Sequence, residues 1–175
     1  MNQLETIGDS IWLIDGEVVN FYGFPYPTRS VIVRLDNGNL WVWSPIGLSA
    51  NLRSQIDQLG RVTHLVSPNK IHHLYLQDWK ASYAGAKVWG PQSTIHKRTD
   101  LTFEAPLTDD SPSDWSSEID QFWFQGSPVL DEVVFYHRKS GTAILADLSE
   151  NFGQEFLNAQ WAPWKRHIAR IWKIT

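Results

Sequence analysis

Short apolar runs broken by turn residues fill the first third of the chain. Ser10-Ile-Trp-Leu-Ile14 is closed by Asp15-Gly16, and Val18 to Tyr22 leads into a segment holding Gly23, Pro25 and Pro27. Apolar and β-branched content predicts a strand for each run, a turn at Asp15-Gly16 and a rigid loop through the Gly/Pro/Tyr segment. Ser30 to Leu35 and Asn39 to Trp43 are two further strands around Asp36-Asn37-Gly38, since Asn-Gly supplies the positive φ of a tight hairpin turn. Helical spacing then takes over: Leu48, Leu52, Ile56 and Leu59 lie four, four and three apart, predicting a helix over Ser49–Leu59 with Gly60 at its C′ position. Val62 to Val66 reads as a strand, Ser67 to His73 as a loop, Leu74 to about Tyr83 as a helix and Lys87 to Gly90 as a short strand. Hairpin, helix, strand, helix, strand is an α/β layered order.

The pattern lapses between Ala105 and Glu118, where Pro106, Pro112, Asp109, Asp110, Asp114 and Glu118 occur without Lys or Arg. This acidic Pro/Ser stretch reads as a solvated connector joining halves of about 1–104 and 119–175 within a single domain; a mobile lid is the alternative. Three short strands follow, Gln121–Phe124, Glu132–His137 and Thr142–Ala146, and Asp147 comes directly after the last. Trp161, Trp164, Ile168, Ile171 and Trp172 then predict one amphipathic helix, with Pro163 near its start and Lys165, Arg166, Arg170 and Lys173 on the polar side.

Composition narrows the function classes. Hydrophobic residues make up 42% and charged residues 19%, a folded domain's balance. A net charge of −4 and a pI near 5.8 argue against nucleic acid as a partner. No run approaches the roughly 18 apolar residues that cross a bilayer, so no membrane role is expected. Acidic Glu5 and Asp9 stand where a secretory signal would carry basic charge, and the expectation is a cytoplasmic domain. The absence of cysteine excludes disulfides, thiolate metal sites and a thiol nucleophile. The ten Trp are assigned mainly to the core, including Trp12, Trp41, Trp43 and Trp123 in strand-like runs.

No phosphate-cradling glycine loop, Gly-x-Ser-x-Gly elbow or His-Glu-x-x-His motif occurs. Chemistry concentrates instead on Lys70, His72 and His73, in the loop after strand Val62–Val66, and on Asp147 at the end of a later strand. Loops at the carboxyl ends of strands are the usual ligand sites of layered α/β folds. Two imidazoles and a carboxylate suffice for one metal ion if the two loops meet. Adjacent histidines point apart, so one of the pair would ligate while the other packs or hydrogen-bonds. His64, inside an apolar strand, reads as a buried core histidine.

The segment from Arg29 to Gly47, a helix, and then Val62-Thr-His-Leu-Val-Ser-Pro-Asn-Lys-Ile-His-His73 resembles the first half of a metallo-β-lactamase-like domain. Glu132-Val-Val-Phe-Tyr136 and Thr142-Ala-Ile-Leu-Ala-Asp-Leu148 resemble the paired strands that end in that superfamily's metal-bridging aspartate. The resemblance runs from about Ile11 to Phe152 and is nearest an uncharacterised branch, a domain of unknown function with an altered metal motif. It implies an αββα sandwich, C-terminally shortened. Carried over residue by residue, Ser67 falls on the motif threonine, Pro68 and Lys70 on the first two histidines, and His72 on the aspartate. His73 then falls on the last histidine of the loop, a later histidine falls near Pro128, and Asp147 matches the bridging aspartate. The resemblance therefore implies that the dinuclear centre is lost and that His72, His73 and Asp147 remain for at most one zinc, iron or manganese ion. An ammonium repels a cation, so Lys70 is expected to pair with Asp147 and supply the charge a metal once supplied, leaving both as candidate catalytic groups.

Two functions follow as expectations. One is a binding or structural protein with a degenerate metal site, taking a small-molecule or anionic ligand. The other is a mononuclear metal-dependent hydrolase of an ester, amide or phosphoester. The resemblance also implies an uncovered sheet edge, for which the expectation is either a truncated chain or a homo-oligomer that covers the edge.

Overall fold

The computed structural model describes residues 3–127, 130–149 and 152–171, the side chains of 168–171 excepted. Six strands make the larger sheet, in the order β1 (Glu5–Gly8), β2 (Ile11–Phe21), β3 (Phe24–Arg34), β4 (Asn39–Trp43), β5 (Arg61–Val66), β6 (Lys87–Trp89). The first four are antiparallel neighbours, whereas β4, β5 and β6 run parallel. Helix α1 (Ala50–Leu59) makes the crossover from β4 to β5, and α2 (Leu76–Ser82) makes that from β5 to β6. After α3 (Gln92–Lys97) the chain forms a second, antiparallel sheet of β7 (Ile119–Phe124), β8 (Glu132–His137) and β9 (Thr142–Ile144). Helices α4 (Gln154–Gln160) and α5 (Pro163–Ile171) follow.

Alternation along the central strands sorts the core into two layers. Val31, Val33, Trp41 and Trp43 face the small sheet, where they pack with Ile119, Val133, Phe135 and Ile144. Ile32, Leu40 and Val42, one residue out of phase, face Leu52 and Ile56 of α1 and Leu76 and Trp79 of α2. Ser49 caps α1, its side chain accepting from the Leu52 amide at 3.2 Å. A Cβ on Gly60 would lie 2.3 Å from the Gly38 carbonyl oxygen, so the helix ends on glycine because two backbones meet there. Gly60 is not in the left-handed conformation that a C′ glycine usually adopts.

The structure corrects several boundaries. Asp15-Gly16 is no turn: β2 continues through it with a register shift between Asp15 and Val18. The Gly/Pro/Tyr segment is strand beyond its tip, with Pro25 opposite Asn20 and Pro27 opposite Val18. Neither proline breaks this long hairpin; only Tyr22 and Gly23 make its turn, both at positive φ. Helix α3 was not expected. The C-terminal helix is two, with Trp161 between them, buried and donating from Nε1 to the Pro25 carbonyl at 2.8 Å. Trp172 lies outside the described residues.

The acidic stretch holds no regular element, yet Leu107 and Trp115 within it are buried in the core between the sheets. Trp115 meets Trp89, His64 and Trp41 edge to face, with ring centroids 4.9, 5.1 and 6.1 Å away. Among the described residues Trp41, Trp43, Trp79, Trp89, Trp115 and Trp161 are buried, whereas Trp12 and Trp123 are half-buried and Trp164 is exposed. No helix among the described residues is long and apolar enough to cross a membrane.

His64 is buried as expected, and Trp89 Nε1 donates to its Nδ1 at 3.2 Å. Burial, with a smaller opposing pull from Asp114 and a push from Lys87, lowers its pKa to about 4. The unfolded chain takes up this proton near pH 6.5 while the folded chain resists it, so stability is full above that pH and falls on acidification towards pH 4. The expected loss over that window is roughly 3 kcal/mol. Urea melts of His64→Gln should show a shallower decline than the wild type, and parallel curves would contradict the assignment. Trp115→Ala should cost about 3–5 kcal/mol by the same measurement.

Candidate functional site

Three chain segments converge beyond the carboxyl ends of β4 and β5. Ser44 directly follows β4 and is held in the left-handed region at φ 48° while its amide donates to the Val66 carbonyl at 2.8 Å. β5 ends in a loop that Asn69 and Ser67, both fully buried, tie together from inside. Asn69 Oδ1 accepts from the amides of Ile71 at 2.8 Å and His72 at 3.3 Å, and the Ser67 hydroxyl lies within 2.8 and 3.0 Å of the Asn69 and His72 carbonyl oxygens. The third segment, after β9, is held by Glu132. Its buried carboxylate accepts from the amides of Ala146 and Asp147, both at 2.7 Å.

One side chain joins the loops. Asn69 Nδ2 donates to Asp147 Oδ2 at 2.7 Å and lies 3.2 Å from Glu132 Oε2, while the Val133 amide donates to the Pro68 carbonyl at 2.9 Å. Asp147 thereby reaches His72, its Oδ2 lying 3.3 Å from Nε2. The other ring nitrogen, Nδ1, is 2.6 Å from Ser44 Oγ, and the ring tilts against Trp43 with centroids 5.7 Å apart. Burial alone would raise the Asp147 carboxyl, but the His72 hydrogen bond and charge, with the Asn69 amide, hold it below its ordinary value.

The structure thus brings His72 and Asp147 together as expected and separates the others. The hydrogen-bond partner of Asp147 is His72, not Lys70, which is half-buried and whose carbonyl accepts from Lys97 Nζ at 2.9 Å. His73 turns the opposite way, its Nδ1 3.2 Å from Arg98 Nη1, and its carbonyl accepts from the same guanidinium at 2.6 Å. Burial, reinforced by the charges of Lys97 and Arg98, pulls the His73 pKa down to about 4. Pro128 lies outside the described residues.

In this arrangement the side chains are engaged with one another rather than grouped around an ion. His73 spends its Nδ1 lone pair on a guanidinium, His72 is bonded at both nitrogens, and Asn69 donates N–H groups where a ligand would offer lone pairs. Among the described residues no three His, Cys, Asp or Glu side chains are grouped to hold an ion.

Above the Ser44–His72–Asp147 floor opens a cleft of about 1070 Å³, lined by apolar side chains including Phe21, Tyr26, Trp43, Ile71 and Ile144. Lys97 and Arg29 also line it, the latter paired with Asp15 at 2.7 Å, whereas Lys70 does not.

Comparison with known proteins agrees with this architecture. The model of a family described as a domain of unknown function, DUF4336, matches residues 8–158, and the chain belongs to that family. No curated protein matches the sequence. Among solved structures, the DIM-1 metallo-β-lactamase is 15% identical with a TM-score of 0.63, the match covering 91% of this chain and 77% of that one. A metallo-β-lactamase from Hirschia baltica is 12% identical with a TM-score of 0.59, over 78% of this chain and 67% of its own. The metal-soaked Flv1 flavodiiron core from Synechocystis sp. is 11% identical with a TM-score of 0.57, over 91% and 47%. Against two further lactamase structures, DIM-1 exposed to ceftazidime and TMB-1, the chain spans 66% and 65% of their length. The fold is the metallo-β-lactamase αββα sandwich.

Ser44, Asn69, Glu132 and Arg98 belong to the site and were not singled out from the sequence. An acid heading the apolar strand Glu132–His137, and an asparagine between Pro68 and Lys70, were the available signals. Asn69→Ala removes the one side chain among the described residues that joins both carboxylates to the β5 loop, and we expect a loss of about 2–4 kcal/mol in urea unfolding. A change below about 0.5 kcal/mol would mean that the backbone amides alone hold the loops together.

Proposed function

We propose that the protein binds a small molecule with an apolar body and one anionic group in this cleft, without a metal ion. The observation that carries the proposal is the cleft itself: its volume of about 1070 Å³ is at the upper end of small-molecule sites, and its floor is a set of hydrogen-bonded side chains. Aromatic and aliphatic walls suit an apolar body. The Lys97 ammonium suits an anion, and the one carboxylate at the floor, Asp147, is already engaged by hydrogen bonds from His72 and Asn69. Against the alternative of a mononuclear metal hydrolase stands Arg98, whose guanidinium occupies the lone pair that His73 would have to offer.

The probe that combines these features is 8-anilinonaphthalene-1-sulfonate. Titration of the folded chain should show one saturable site. Ala143 lines the cleft from β9 and is exposed, so Ala143→Trp fills space there without disturbing the core. It is expected to weaken dye binding at least tenfold, about 1.4 kcal/mol, and Lys97→Glu should weaken it by a smaller factor. Dye affinity unchanged in both variants would refute the site.

A further inference from the structure

The floor of the cleft carries an arrangement that binding does not require. Ser44 Oγ lies 2.6 Å from His72 Nδ1, within the range for a nucleophile and its base. His72 Nε2 lies 3.3 Å from Asp147 Oδ2, and an ionised carboxylate only accepts hydrogen bonds. Nε2 therefore carries the proton, and Nδ1 presents its lone pair to the serine O–H. The ring is held against Trp43, and Asp147 is held by Asn69. Ser44 occupies a sharp turn directly after a strand, at φ 48°, a conformation that is strained for a non-glycine residue. Strained strand-to-turn serines are a known means of presenting a nucleophile to a cleft. All three residues line the same cavity.

We infer that Ser44, His72 and Asp147 form a serine acyl-transfer site that hydrolyses a carboxylic ester with an apolar portion. The inference rests on the cleft taking a small molecule. Ser44 Oγ adds to the ester carbonyl carbon as its proton passes to His72 Nδ1. The carbon–oxygen bond to the leaving alcohol then breaks, and that oxygen takes the proton from His72. Water next adds to the acyl-serine, giving a proton to the same nitrogen. The serine oxygen leaves, recovers that proton, and the carboxylic acid is released. Ester and water thus yield acid and alcohol, with no other reactant. Ser44 and His72 act on the reacting atoms, whereas Asp147 is a positioning residue that fixes the tautomer.

The test is to incubate the full chain with a short-alkyl fluorophosphonate and map the adduct by mass spectrometry. One phosphonyl group on Ser44 is expected, absent in Ser44→Ala and formed at least 100-fold more slowly in His72→Gln. Hydrolysis of p-nitrophenyl butyrate should vanish in Ser44→Ala. In Asp147→Asn its kcat should fall about 100-fold with KM within twofold. Should Ser44→Ala fail to fold, Ser44→Cys provides a second route, because the chain contains no other cysteine. Iodoacetamide should then modify the introduced thiol faster than free cysteine, and the addition of His72→Gln should abolish that advantage. No adduct on Ser44, in protein that still binds the sulfonate dye, overturns the chemistry and leaves the binding site standing. Loss of both overturns both.

Discussion

Everything at the site depends on the side-chain amide of Asn69. Its N–H groups draw Glu132 and Asp147 towards the β5 loop, and its oxygen takes the amides of Ile71 and His72. Two carboxylates this close and this sheltered repel each other unless a donor lies between them, and here the donor is a neutral amide rather than a cation. Backbone amides at Ala146 and Asp147 complete the solvation of Glu132. From this arrangement follow the place of Asp147, the orientation of His72 and the contact with Ser44. The hydrogen-bonded floor does the positioning that a metal ion would do in an enzyme that holds one.

The layers of the sandwich keep that floor rigid. Trp41 and Phe135 meet across the sheets with centroids 5.0 Å apart, and Trp115 of the acidic stretch wedges between Trp41 and Trp89. Both flanks of that stretch contribute to the same core. Trp43 links core to site, since its ring lies against His72 while its carbonyl accepts from the buried Ser30 hydroxyl at 2.7 Å. A tryptophan-rich interior is therefore spent on fixing sheets and loops, and the cleft draws only a minor part of its wall from it.

Much of the fold was legible because its signals are local. Asn37-Gly38, the four-residue spacing of Leu52 and Ile56, and the apolar run Val62–Val66 each specify an element from within a few residues. The errors fell where tertiary contact decides. Pro25 and Pro27 look like loop residues, yet they sit in a long hairpin on which Phe152, Leu157 and Trp161 pack. At the site, the motif pointed to His72 and Asp147 because their positions derive from the order of elements. It misassigned Lys70 and His73 because the direction of a side chain in an irregular loop depends on partners far away in sequence. Arg98, from the end of α3, draws His73 away, and no spacing rule within Ser67–His73 contains it.

The central proposal is that hydrogen bonds, and not an ion, assemble this site. Elemental mass spectrometry on protein purified without a His tag tests it most directly, with a His73→Ala, Asp147→Ala double variant alongside. The expected result is substoichiometric zinc, iron and manganese in both proteins, even after incubation with zinc, and an unfolding temperature that a chelator does not shift. One tightly held ion per chain, lost in the double variant and removed by chelator with a fall in stability, would contradict it.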